Sequence, residues 1–169
     1  MVGLRKALLS VAWIGALVFA VAVSALPSRA APVDAAVAKF LGDDMLDILA
    51  SADRVESFQL EAKTDVTDPS VQGYAVRATG PALTVGQVER FRGLIFAESS
   101  YVFDKSKRCP FLADAGFVFH AGERQASIVL SQSCMLWSFA RAAERGKIED
   151  YDPIEADIKT LLAELFEKP

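Results

Sequence analysis

The chain has 169 residues, with 18 Lys and Arg, 22 Asp and Glu and a single His. Residues 1–30 hold Arg5, Lys6 and Arg29 and no acid, so the remaining 139 carry 15 basic against 22 acidic side chains, a net charge of −7. That balance excludes nucleic acid and anionic membrane surfaces as partners, because both require a Lys/Arg excess that displaces counterions from phosphates.

Arg5 and Lys6 precede an uncharged apolar run over residues 7–26, and Pro27-Ser28-Arg29-Ala30 places small residues at −3 and −1 of a cut after Ala30. This is a secretory signal layout. At ~1.5 Å per residue a run of about 20 residues nearly spans ~30 Å of hydrocarbon, so an uncleaved anchor is the rival expectation. Under either, the retained positive charge leaves everything after Ala31 outside. The expected organisation is a leader over 1–30 and one extracytoplasmic α+β domain over 31–169, a length suited to a single core. The expected location is periplasmic or secreted. The alternative is anchoring in the inner membrane with the domain facing outward, and membrane contact is expected only through an uncleaved leader.

Val33, Ala36, Val37, Phe40 and Leu41 fall at i, i+3, i+4, i+7 and i+8, the stripe of an amphipathic helix, and Gly42 interrupts it. Met45, Ile48, Leu49 and Ala52 resume the spacing after Asp43, which is placed to cap a new start, with Asp44 and Asp47 near its positive end. Residues 54–62 change to alternation and predict a strand. A polar connection over 64–72 leads to a second strand through Tyr74, Val76 and Ala78, ended by Gly80-Pro81. Thr84 and Gln87 form a capping box, flanked by Leu83 and Val88 as a hydrophobic staple. The helix they open shows Val88, Phe91, Leu94 and Ile95 on one side and fades at Ser99-Ser100. Residues 101–108 predict a loop.

A hairpin follows: residues 116–120, a polar Ala121-Gly122-Glu123-Arg124 turn, then 125–130. With His120 opposite Gln125, Phe117 faces Ile128 and Phe119 faces Ala126, so these residues and Leu130 share a core face. The second strand is expected to run on through Met135, Leu136 and Trp137, whose indole N–H requires a partner if buried. A polar stretch covers 141–150. Asp152-Pro153-Ile154-Glu155 then predicts a helix with an acidic cap and proline at its first position, and Ile154, Ile158, Leu161, Leu162 and Leu165 form its docking stripe. The fold class expected is α+β: a small antiparallel sheet of about four strands with helices packed on one face.

Cys109 and Cys134 are the only cysteines, and an oxidising compartment lets them close. A loop of about 26 residues closed this way stabilises the fold by roughly 3.5 kcal/mol in the chain-entropy picture. A redox role would require a low-pKa exposed thiolate and usually a C-x-x-C spacing, which is missing, so the disulfide is read as structural.

His120 is the one imidazole that acid-base or nucleophilic chemistry of the common kind would use. The alternation puts it on the opposite, polar face with Ser127, Ser131 and Ser133, where a solvated histidine is the ordinary explanation. No G-x-S-x-G elbow activates a serine. Asp43, Asp44 and Asp47, and separately Asp65 and Asp68, lack calcium-loop spacing, and the first three are explained as helix-start acids. Zinc lacks its usual ligand set, and no Gly-rich phosphate loop is present. No catalytic, cofactor-binding or metal residue is therefore expected, and no cofactor. The hairpin's polar face, with Val118, His120, Gln125, Ser127, Val129 and Ser131, is the remaining candidate surface, and Tyr101 and Trp137 are candidate aromatic anchors for a partner.

The order Ser100-Tyr101, Lys107-Arg108-Cys109-Pro110-Phe111, the strand Gly116-Phe117-Val118-Phe119, and Cys134 resembles a family of small exported bacterial proteins of unknown function. In those, a Ser-Tyr leads to a cysteine, a hairpin and a second cysteine. The resemblance covers roughly residues 85–139 and implies an exported bacterial domain. The functional expectation is a non-catalytic domain binding a protein or cell-envelope component. The alternative is a cell-envelope hydrolase using carboxylates in a cleft.

Overall fold

In the computed structural model the described residues are 32–61, 69–141, 144 and 146–167. The leader expected over 1–30 lies outside them. So do Asp65 and Asp68.

The first helical stripe forms α1 (Ala35–Leu41) and α2 (Asp43–Ser51), two helices joined at a single residue. Gly42 sits there at φ +83°, a backbone region that side chains with a Cβ rarely enter. Its N–H donates to the Ala38 carbonyl and its carbonyl accepts from Leu46, so one residue ends α1 and starts α2. Gly42, not Asp43, is the cap, and Asp43 and Asp44 occupy the first turn, where negative charge complements the helix dipole.

Strand β1 (Arg54–Leu60) leads to β2 (Ser70–Val71) and β3 (Tyr74–Thr79). Helix α3 (Val85–Phe96) opens on the expected capping box: Thr84 N–H donates to Gln87 Oε1 at 2.9 Å, and Gln87 N–H to Thr84 Oγ1 at 3.4 Å. From α3, Arg92 donates to the Leu49 and Ala52 carbonyls, satisfying the open C-terminal end of α2 and locking the two helices together. Strands β4 (Ala115–Ala121), β5 (Arg124–Ser131), β6 (Leu136–Arg141) and β7 (Lys147–Asp150) follow, then α4 (Glu155–Phe166). The first turn before α4, Asp152–Ile154, is 3-10, and the Asp152 carboxylate bonds Lys107 rather than capping the helix.

The four-stranded layer with helices on one face is overturned. Among the described residues the sheet has seven strands in the order β2-β3-β1-β4-β5-β6-β7, with every pairing antiparallel, and it curls into a half-barrel accompanied by four helices. Three strands escape the sequence signals for separate reasons. β2 is two residues long and turns at once through Gln72 and Gly73, both at positive φ (+51° and +82°). β6 reads as a continuation of β5, but the chain reverses between them, with Met135 at φ +48°. β7, Lys-Ile-Glu-Asp, is an edge strand in a stretch whose polarity reads as loop.

Within β4–β5 the register is the expected one: His120 opposes Gln125, Phe119 opposes Ala126 and Phe117 opposes Ile128. Phe117, Phe119, Ile128 and Leu130 enter the main core with Leu49, Phe91, Ile95, Ile158 and Leu162. The opposite face is not a wet surface. Leu60, Val71, Ala113 and Val129 form a second buried cluster there, with Phe58, Tyr74, Val76, Phe111 and Val118 against it. The curl produces this cover: the β1–β3 register shifts at Gln59/Leu60, and a bulge there increases local twist. Gly116 lets the hairpin close down, since a Cβ on it would lie 3.0 Å from Leu60 Cδ1 and 3.3 Å from Val71 Cγ1.

Trp137 is fully buried, its ring 4.6 Å from Tyr101 and 5.0 Å from Phe139 between centroids. Its Nε1 has no hydrogen-bond partner among the described residues, contrary to expectation. The desolvation penalty of about 1–3 kcal/mol is offset by aromatic packing on several sides. Tyr101 and Tyr151 line the same core, their hydroxyls donating to the Ile95 and Ser131 carbonyls. Burial, with a smaller push from nearby carboxylates, raises both phenols far above the ordinary range. Because the folded pKa values lie above the unfolded ones, this stabilisation is whole below about pH 10 and is lost as pH rises. Stability should therefore fall above about pH 10 by up to ~1.4 kcal/mol per pH unit for each phenol. Urea unfolding between pH 8 and 11.5 checks this, with a shallower fall expected in Tyr151→Phe.

Candidate functional site

The segment before β4 is tied down twice. Cys109 and Cys134 are disulfide-bonded, with Cα atoms 6.3 Å apart. Two residues earlier, Lys107 Nζ donates to the Cys134 carbonyl at 2.8 Å and pairs with Asp150 at 3.1 Å and with Asp152. Burial works against the ammonium charge, but hydrogen bonds to Asp152 and Asp150 hold the Lys107 pKa above its ordinary value. Phe103 stacks on Tyr101 at 4.8 Å and fastens the start of the same segment. Tyr101 (7 % exposed) and Trp137 (0 %) are thus core residues, and neither presents the surface anchor expected of it.

His120 is also placed differently from expectation. It is 8 % exposed, because the face it occupies is covered rather than solvated. Its Nε2 is 2.7 Å from Glu56 Oε2 on β1, and its Nδ1 is 3.2 Å from both Arg54 Nη2 and Gln125 Nε2. Both groups facing Nδ1 are donors, so Nδ1 holds the lone pair and Nε2 carries the proton that it donates to Glu56. Arg54 also pairs with Glu56 at 2.6 Å. Imidazole, carboxylate, guanidinium and amide thus close a circuit, leaving no lone pair on His120 directed at a substrate proton. The neighbouring hydroxyls are engaged as well. Ser127 Oγ donates to the Ala140 carbonyl at 3.3 Å, and Ser131 Oγ accepts from Leu112 N–H at 3.2 Å and contacts Ser133 Oγ at 3.3 Å.

The residue on this face that sequence reasoning missed is Gln72, at the tip of the β2–β3 hairpin. Its Nε2 shares two hydrogens among Ser127 O (3.0 Å), Ser127 Oγ (3.1 Å) and Ser138 O (3.1 Å), and its Oε1 accepts from Ser138 Oγ at 2.7 Å. The available signal was Gln-Gly between Val71 and Tyr74, a weak relative of the Asn-Gly that marks such hairpins. A left-handed backbone at Gln72 costs roughly 1–2 kcal/mol.

Among the described residues, grooves lie elsewhere, three of which bear on function. One of about 710 Å³ runs between α4 and the end of β1 and β4, with Leu60, Ala115, Leu162 and Phe166 along it, Arg77 and Lys159 supplying positive charge, and Asp114 and Glu167 negative. A second, of about 430 Å³, collects Asp43, Asp44, Arg141 and Lys147, but Arg141 bonds Asp44 and Glu144, and Lys147 donates to the Phe40 carbonyl at 2.8 Å. A third, of about 290 Å³, lies between α3 and α4 and is mostly apolar, with Phe91, Leu94 and Leu161. His120 lines none of the three. Of the helix-start acids, Asp47 pairs with Arg124 and Asp44 with Arg141. No group of three or more His, Cys, Asp or Glu among the described residues is arranged to hold a metal ion. No helix among them is long and apolar enough to cross a membrane.

No family model, curated protein or solved structure matches the chain.

Two outcomes follow from this geometry. Gln72→Asn suits the turn better but is one methylene short of Ser127 and Ser138, so it should lower the melting temperature rather than raise it, as a thermal scan will read. Cys109→Ser should lower unfolding free energy by about 2–4 kcal/mol in urea titrations, with reduced wild type matching it.

Proposed function

We propose that this protein is an exported, non-catalytic domain that binds a segment of a partner polypeptide in the groove between α4 and the ends of β1 and β4. The observation carrying this reading is the make-up of that groove: an apolar floor containing Leu60, Ala115 and Leu162, with a rim bearing Arg77 and Lys159 beside Asp114. An apolar floor takes side chains, and a rim of both signs pairs with the mixed charges of a polypeptide. A phosphate-rich ligand would call for a uniformly basic rim. Export is supported by the leader's charge and small-residue pattern together with the Cys109–Cys134 bond, which is compatible with an oxidising compartment such as the periplasm or the medium. The order of motifs between residues 85 and 139 supports a place among small exported bacterial proteins.

The competing reading is a hydrolase using Asp114 and Glu167, which border the same groove. Asp114 accepts the Gln132 N–H at 2.7 Å and so helps hold the β5–β6 turn. Site-directed photo-crosslinking separates the two. A crosslinking residue in place of Lys159, in exported protein within the bacterial envelope, should give discrete polypeptide adducts, whereas one in place of Glu123 on the β4–β5 turn should give none. Adding Ala163→Arg should abolish the adducts while leaving the melting temperature within a few degrees. Equal labelling at both positions, or none at 159, overturns the binding reading. Turnover of envelope material that Asp114→Asn removes would establish the hydrolase.

A further inference from the structure

The β2–β3 turn pairs an unfavourable residue with a built receptor. A two-residue hairpin loop with both residues at positive φ favours Asn or Gly at its first position. This loop has Gln72 there, at φ +51°. Asn would ease the backbone, but only the longer side chain reaches across the half-barrel to β5 and β6. Neither strand is a sheet neighbour of β2 or β3.

What Gln72 reaches is specific for its functional group. Three acceptors, Ser127 O, Ser127 Oγ and Ser138 O, surround the amide nitrogen, and one donor, Ser138 Oγ, meets the amide oxygen. A carboxylate has no hydrogens to offer the three acceptors, and an aliphatic group offers neither the donor nor the acceptor that they and Ser138 Oγ engage. Ser138 is 4 % exposed, so its hydroxyl has little access to water as an alternative partner. Space is reserved as well: a Cβ on Gly146 would lie 2.0 Å from Ser138 Oγ and 2.9 Å from Gln72 Oε1, so any other residue there would close the slot.

We propose that Ser127, Ser138 and Gly146 form a recognition site for a primary carboxamide which the chain fills with its own Gln72, making the β2–β3 tip an autoinhibitory plug that a polypeptide segment presenting glutamine displaces. Displacement requires only that the half-buried Gln72 side chain swing out, while Val71 stays in the second apolar cluster. This site is separate from the α4 groove, and the crosslinking result at position 159 does not bear on it.

The test uses the exported full chain and a peptide carrying the tip's own sequence, acetyl-Ser-Val-Gln-Gly-Tyr N-methylamide, with Glu in place of Gln as control. A site occupied in cis binds in trans with an affinity reduced by the fraction of time it is open. Gln72→Ala should therefore bind the Gln peptide at least tenfold more tightly than wild type does, and neither protein should bind the Glu peptide. A folded Gln72→Ala that binds both peptides equally, or neither, overturns the proposal. If that variant does not fold, Gln72→Glu keeps the side chain's shape but removes its donors, and the same comparison applies. In wild type, excess Gln peptide should move the Gln72 side-chain amide signals in a ¹⁵N spectrum to solvent-exposed positions. Signals that stay fixed at the highest peptide concentration overturn the plug whatever the variants do.

Discussion

The β4–β5 pair lies at the middle of the sheet, and its alternation serves two apolar clusters at once. Phe117, Phe119, Ile128 and Leu130 point toward the helices, while Val118 and Val129 point into the hollow of the half-barrel. A slip of one residue would send the large rings into the hollow and the valines under the helices, where neither set fits. The register is therefore fixed from both sides. Gly116 extends the same constraint, since it is the absence of a side chain there that lets Leu60 and Val71 settle against β4.

The hollow is polar at one end and apolar at the other, and its polar groups are satisfied by protein. His120, Glu56, Arg54 and Gln125 complete one circuit, and Gln72, Ser127 and Ser138 another. In a curled sheet, groups removed from water have to find partners on neighbouring strands or lose the free energy of an unmade hydrogen bond. The imidazole is spent on structure, which moves the functional candidates to the α4 groove and the hairpin tip.

Local chemistry was the legible part of the sequence. The Thr84–Gln87 capping box, the break at Gly42 and the β4–β5 register each depend on residues whose spacing alone specifies the geometry, and Cys109 and Cys134, as the two cysteines of the chain, leave one pairing. Alternation also placed His120 opposite Phe117 and Phe119 correctly. What it could not convey is whether that second face meets water, because its cover comes in large part from Leu60 and Val71, distant in the chain. The extra strands were hidden for a related reason. Met135 reverses the chain without a glycine, and the pairing of Ile148 with Ser138 is decided by β6 rather than by any pattern within β7. Gln72 carries the least signal of all, since its partners Ser127 and Ser138 lie more than fifty positions away.

The sulfur bridge encloses β4, β5 and the turn after them in a covalent ring from residue 109 to 134. Protease cleavage at one peptide bond inside that ring leaves both products joined, with the central strands still in register against the helices. The chain thus keeps its central hairpin in the part of the sequence where a single nick does the least harm.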